Sequence, residues 1–171
     1  AHEPAYRLAG RLAALLPGDL DHVFFAESGS VSVEIAMKMA LQFWINQGVA
    51  GKNRFLSFRG GYHGDTLATM TICDPEEGMH SLFAGVMPAQ HVVDLPVDAA
   101  TEAALDAALA QKGAEIAAII VEPRVQGAGG MLFHDDEVLR TQRRLADQHG
   151  VLLIFAEIFV GFGRTVDLLP C

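Results

Sequence analysis

Between residues 31 and 47 the apolar positions Val31, Ile35, Met39 and Phe43 recur every fourth place, and Ala36, Met37, Ala40, Leu41 and Trp44 widen the stripe. This spacing predicts a long helix, buried on most of its circumference and ended by Gly48. Glu34 and Lys38 stand four apart on its narrow polar side, which predicts an ion pair. Elsewhere the apolar residues fall in short unbroken runs: "HVFFA" at 22–26, "RFLSF" at 54–58, "AAIIVEP" at 117–123 and "VLLIF" from Val151. Unbroken runs of this length are the pattern of strands buried on both faces. Further helices are predicted at 3–16, stopped by Pro17-Gly18, at 66–72, at 101–112, ended by Gly113, and at 136–149. For the last, Asp135 is the predicted cap, Glu137 lies in the first turn and Gly150 is the stop. Residues 74–96 read as loop-rich. Strand, helix and strand follow one another within about forty residues from 117, a βαβ unit with parallel strands and a right-handed crossover. The fold class is therefore α/β.

The chain has 171 residues, is 51% apolar and carries a formal net charge of −9. It is long enough for one domain with its own core. The acidic balance argues against nucleic acid or an acidic membrane surface as a partner. No apolar run reaches the length of a membrane span. Two cysteines, Cys73 and Cys171, are too few for a disulfide framework and fit a reducing cytoplasm. No signal peptide is visible, and the chain starts at Ala1, not Met.

Three loops that follow strands carry candidate chemistry. In "AESGSVSVE" (26–34) a strand ends, Ser28-Gly29-Ser30 turns and a helix begins. Free N–H groups, the helix dipole and hydroxyls converge there, which suits a phosphate; the plainer reading is a serine N-cap. The stretch is neither a P-loop nor a GxGxxG fingerprint. In "GGYHGDT" (60–66) glycines hold Tyr62 and His63 on a tight loop. Tyr62 could stack on a flat cofactor, and Asp65 could simply cap the next helix. In "IIVEPRVQGAGG" (119–130) Glu122 closes a buried strand before a glycine-rich loop, either as a site carboxylate or as an acceptor for loop N–H groups. The histidines make no HExxH or zinc spacing, so no metal is expected, and no GxSxG elbow supports a serine hydrolase.

Taken together and in this order, "SGSVSVEIAMKMA", "FRGGYHGDTLATM", "CDPEEGMHSLFAG", "IIVEPRVQGAGGM" and "GFGRT" resemble the class III aminotransferases that use pyridoxal 5'-phosphate. The likeness covers nearly the whole chain up to about Thr165. It implies part of the large domain of the type I pyridoxal-phosphate fold, a mostly parallel sheet flanked by helices. It also implies a cytoplasmic homodimer. Gly29 and Ser30 would hold the cofactor phosphate. Tyr62, the catalytic candidate, would stack on the pyridine ring and shape the donor pocket. Asp65 would face the substrate, and Glu122, Ala156 and Ile158 would lie close to the cofactor. The start of the 31–47 helix and the Cys-Asp-Pro…Gly-Met-His block look most like the biotin-synthesis branch of the family. That branch takes an amino group from S-adenosylmethionine and gives it to 8-amino-7-oxononanoate, making 7,8-diaminononanoate. The alternatives are another ω-amino-acid aminotransferase of this class, or a catalytically inactive homologue.

The departures gather at one end. In "VLLIFAEIFVGFGRT" the family places an Asp before the Glu, paired with the protonated pyridine nitrogen; here that position is Ala156. Glu157 is no obvious stand-in, since adjacent strand residues face opposite ways. Phe159-Val160 replaces a small residue and a threonine, and Val166 replaces a glycine. The expectation is an internal fragment ending at Cys171. It would lack the N-terminal segment, the Schiff-base lysine region and the C-terminal small domain.

Overall fold

The computed structural model describes residues 2–76, 80–83, 85–165 and 167–169. The readings at Gly78, Met79, Val166 and Cys171 lie outside the described residues. Six strands and five α-helices are described, in the order α1 (Glu3–Ala13), α2 (Gly29–Asn46), β1 (Arg54–Phe58), α3 (Leu67–Met70), β2 (His91–Val93), α4 (Ala99–Lys112), β3 (Ile116–Val121), β4 (Val125–Gln126), β5 (Leu132–Phe133), α5 (Asp136–His149) and β6 (Leu152–Phe155). A 3-10 turn, Ser81–Phe83, precedes β2.

The main sheet has the order β2-β1-β3-β6, and every pairing in it is parallel. β3, buried at all six positions, is its centre. One face packs Leu56, Phe58, Ile119 and Val121 against Leu105 and Leu109 of α4 and Leu139 and Leu145 of α5. The other packs Phe55, Ala118 and Ile120 against Val33, Met37 and Ala40 of α2, together with Ile72 after α3 and Ala156. The result is three layers, helix, sheet and helix, as buried parallel strands require. A short antiparallel hairpin, β4–β5, follows β3.

Several expectations change. Residues 22–26 form no strand among the described residues, and Phe24 and Phe25 are exposed. Their composition suits a strand, but a strand exists only with a ladder partner, and none pairs with them here. β2 stands inside the stretch read as loop; three residues are too few to show a period. α2 is apolar on two faces. The sheet takes the one with Val33, Met37 and Ala40, leaving Met39 and Phe43 about half exposed. Small Ala40 lets the helix approach the sheet, and Trp44 locks that approach by donating its indole N–H to the Ala117 carbonyl at 2.8 Å. Glu34 is not devoted to Lys38: its carboxylate accepts the Ala68 N–H at 3.0 Å, tying α2 to α3. Asp135 occupies the N-cap position of α5 but its side chain makes no cap bond. Gly150 does end α5 in the left-handed conformation, at φ 60°. The α4 helix starts two residues earlier than its pattern suggests, because Asp98 and Thr101 form a reciprocal capping box.

Candidate active site

In this sheet the chain leaves β1 toward β2 on one side, and leaves β3 through α5 toward β6 on the other. The carboxyl ends of β1 and β3 therefore flank a topological switch point, the place where open α/β sheets form a ligand crevice. Every sequence-derived candidate lies on the loops leaving β1, β3 and β6 or on the amino end of α2.

Glu122 bridges the crevice. It is 6% exposed, and its two oxygens accept the Tyr62 N–H at 2.8 Å and the Gly127 N–H at 3.0 Å. Its own carbonyl is bonded to the His134 ring. Burial pushes the Glu122 carboxyl above its usual range, and the two N–H donors oppose that rise. Glu122 thus acts as the acceptor for loop donors that its position at a strand end allowed.

Ser28 is the N-cap of α2: its hydroxyl accepts the Val31 N–H. Among the described residues no acceptor is found for the N–H groups of Gly29 and Ser30, so the positive end of an 18-residue helix opens on the crevice. Ser30 also receives the Asp65 N–H on its hydroxyl at 3.0 Å. This contact needs glycine at 64. A Cβ there would lie 2.8 Å from Ser30 Cα, and φ is +126°.

Asp65 caps nothing. Thr66 holds the N-cap position of α3, while the Asp65 carboxylate accepts the Tyr62 phenol at 2.8 Å and meets His80 Nε2 at 3.1 Å. Those partners hold the Asp65 carboxyl below its usual range. Burial and the Asp65 bond push the Tyr62 phenol up to about 12. His63, beside it, is buried; burial lowers its imidazole to about 4, so it is neutral.

Ala156 is 6% exposed and extends the β3–β6 ladder by donating its N–H to Val121 O at 2.8 Å. Its methyl joins the apolar cluster of Val33 and Met37. Ile158 is exposed and leans over the helix start: a Cβ on Gly29 would lie 3.1 Å from Ile158 Cγ2. Among the described residues Glu157 makes no side-chain hydrogen bond to this polar network. Both of its oxygens are buried without a partner among the described residues.

Sequence reasoning missed three parts of this rim. Gln126, 2% exposed, donates to the Arg59 carbonyl and so joins the β1 and β3 loops. Gly129 passes so close to Gly60 that a Cβ would land on its carbonyl; the repeated glycines of "QGAGG" were the available signal. His80, fifteen residues beyond Asp65, closes the Cys-Asp-Pro…Gly-Met-His block, but nothing in that block says that it meets Asp65. A surface cavity of about 510 Å³ lies between α3 and β2, lined by Met70, Phe83, Val86 and Val92 and reaching Cys73 and His80 of this rim.

A helix amino end facing a switch-point crevice, with an aromatic ring on the adjoining loop, is an arrangement that suits a phosphorylated, flat ligand. The chain matches the aminotransferase class-III family over residues 1–171, and it belongs to that family. It is 52% identical over 170 residues to the adenosylmethionine-8-amino-7-oxononanoate aminotransferase of Mycobacterium leprae, covering 98% of this chain and 39% of that protein. To the protein of the same name from Corynebacterium glutamicum it is 45% identical, covering 98% and 41%. Among solved structures, the adenosylmethionine-8-amino-7-oxononanoate aminotransferase of Methanocaldococcus jannaschii superposes with a TM-score of 0.94 at 29% identity, covering 100% of this chain and 39% of that one. An amine transaminase from an uncultivated Pseudomonas species, in its PLP-bound form, gives 0.82 at 32% identity, covering 99% and 41%. The chain thus spans about two fifths of the length of these relatives.

Proposed function

We propose that this chain forms the cofactor-binding part of a pyridoxal-phosphate-dependent aminotransferase that moves an amino group from S-adenosylmethionine to 8-amino-7-oxononanoate. The observation that carries the reading is the convergence on one rim of the open amino end of α2 with the Tyr62 loop, tied together by the Asp65–Ser30 bond. The relatives' names supply the substrates.

The residues fit the cofactor at two of its three points. Its phosphate suits the N–H groups of Gly29 and Ser30 and the helix dipole behind them. The Ser30 oxygen already accepts from Asp65, which leaves its O–H free to donate to that phosphate. The ring suits the half-buried face of Tyr62, with Ile158 over the helix start. Tyr62 keeps its proton at neutral pH, and its ring presents a flat surface to the cofactor. Asp65, exposed beside it, is the carboxylate that a cationic donor substrate would meet. Glu122 keeps the two loops together beside the cofactor. At the third point there is no fit: Ala156 offers a methyl group where the ring nitrogen needs an acceptor. A buried positive charge without a partner is unfavourable, so the nitrogen would stay unprotonated. Pyridoxal phosphate, when bound, supplies an electron sink for a substrate carbanion, and an unprotonated ring is a weaker one.

This supports a second reading, that of a homologue with greatly reduced turnover. The exposed apolar side chains Met39, Phe43 and Ile45 of α2 support burial in a homodimer. Among the described residues no helix is long and apolar enough to cross a membrane.

The test grafts residues 1–171 into the M. leprae relative, offers either S-adenosylmethionine or simple amines as donor, and follows 7,8-diaminononanoate by mass spectrometry. Product from S-adenosylmethionine above that from simple amines supports the substrate assignment. Equal or greater product with simple amines points to another member of the class.

A further inference from the structure

We propose that His80 is a positioning residue of this site, holding Asp65 and, through it, the Tyr62 ring against the amino end of α2. The proposal rests on the reading that Tyr62 faces the cofactor ring. The Tyr62 loop is poor in intrinsic stiffness: Gly60, Gly61 and Gly64 interrupt it, and Gly60 and Gly64 have positive φ. Its order therefore depends on tethers from outside. Glu122 holds the Tyr62 N–H, Cys73 Sγ accepts the His63 N–H, and Ser30 holds the Asp65 N–H. All three act on backbone atoms. Among the described residues only Asp65 is bonded to the Tyr62 phenol, and the Asp65 side chain is itself 62% exposed.

A carboxylate so exposed turns freely unless both of its oxygens are engaged. Here they are divided: Oδ2 takes the phenol, and Oδ1 faces His80 Nε2. The imidazole is the fixed member, with a side chain only 10% exposed. It stands at the start of the turn Ser81–Phe83, where its carbonyl accepts the Phe83 N–H. The His80 ring also lies beside the Tyr62 ring, with centroids 6.2 Å apart and planes 30° from parallel. His80 thus meets Tyr62 twice, directly through its ring and indirectly through Asp65. Removing it frees the Asp65 carboxylate to turn toward water and uncovers one side of the Tyr62 ring, while the backbone tethers stay. Tyr62 would remain near the crevice but lose its fixed orientation.

The experiment places 3-fluorotyrosine at position 62 in the graft described above and records ¹⁹F NMR without cofactor. It compares His80→Phe, which keeps a ring but no hydrogen bond, with His80→Gln, which keeps a donor. Asp65→Asn and Tyr62→Leu serve as references. Pyridoxal phosphate is then titrated into each variant and followed by its visible circular dichroism. The expected result is a ¹⁹F signal in His80→Phe displaced toward that of Asp65→Asn, with His80→Gln close to the parent. Cofactor affinity should weaken about tenfold in His80→Phe, the effect of one lost hydrogen bond of about 1.4 kcal/mol. His80→Gln guards against a folding failure of the bulkier variant, since it should restore both signals. An unmoved ¹⁹F signal in His80→Phe overturns the proposal. So does cofactor binding that responds to Tyr62→Leu but not to His80→Phe, which leaves the cofactor reading intact. Cofactor binding indifferent to Tyr62→Leu overturns the cofactor reading itself, and the role of His80 toward the ring falls with it.

Discussion

Replacing Glu122 by alanine tests how the two sides of the crevice are held. The carboxylate is 6% exposed and accepts two N–H groups, from Tyr62 at 2.8 Å and from Gly127 at 3.0 Å. A hydrogen bond to a charged acceptor contributes roughly 1.5–3 kcal/mol, and because water can enter this rim the lower end applies, giving about 3 kcal/mol for the pair. At about 1.4 kcal/mol per decade this is roughly a hundredfold change in the local opening equilibrium. Hydrogen–deuterium exchange should therefore quicken by that factor in peptides over 59–66 and 126–130, with α5 as an unaffected internal reference. Glu122→Gln keeps one carbonyl acceptor and should fall between, near tenfold. Unchanged exchange in both variants would refute the bridge. The pH dependence has a definite sign. Burial raises the folded-state pKa of Glu122, so its contribution to stability is full at low pH. It is lost as pH climbs from the ordinary glutamate range through the raised value. Unfolding midpoints of the parent should thus fall behind those of Glu122→Gln across that window. A parent that gains on the variant as pH rises contradicts the assignment.

Gly64→Ala should loosen the Tyr62 loop from α2, because the new Cβ lies 2.8 Å from Ser30 Cα at a φ of +126°. A cost of about 2–3 kcal/mol and faster exchange of the Asp65 amide are expected, and a parent-like variant contradicts the packing. The Lys52 ammonium donates to the carbonyls of Gly113, Ile116 and Gly150 and sits 4.4 Å from the centre of the Trp44 ring, with burial lowering its pKa. Lys52→Met should lower stability by about 2 kcal/mol in denaturant titration, while an unchanged midpoint shows that water replaces those bonds freely.

What could be read in the sequence followed physical locality. The strands at β1 and β3 announced themselves because burial on both faces leaves unbroken apolar runs, β6 carries the same run although it is only half-buried, and Gly150 marked the end of α5 because it adopts the left-handed conformation that closes that helix. Tyr62 and Glu122 were legible as positions, since each follows a strand, and Ser28 was legible as a serine cap before a long apolar helix. Their partners were not. The Ser30–Asp65 bond spans 35 residues and the Tyr62–Glu122 bond spans 60, and no pattern along the chain encodes which loops meet. α2 shows the converse limit. It is apolar on two faces, and only the sheet decided that Met37 rather than Met39 is buried. Residues 22–26 have the composition of a strand, but pairing lies outside composition.

The central claim is that this rim belongs to an aminotransferase site weakened at one point, position 156. Its most direct test is the turnover of S-adenosylmethionine and 8-amino-7-oxononanoate by the graft, with the segment unaltered and with Ala156→Asp. Restoring one preorganised electrostatic partner is worth on the order of 100- to 1000-fold in turnover. Ala156→Asp should run faster than the unaltered graft by that factor. Equal rates in the two, or no turnover in either, would contradict it.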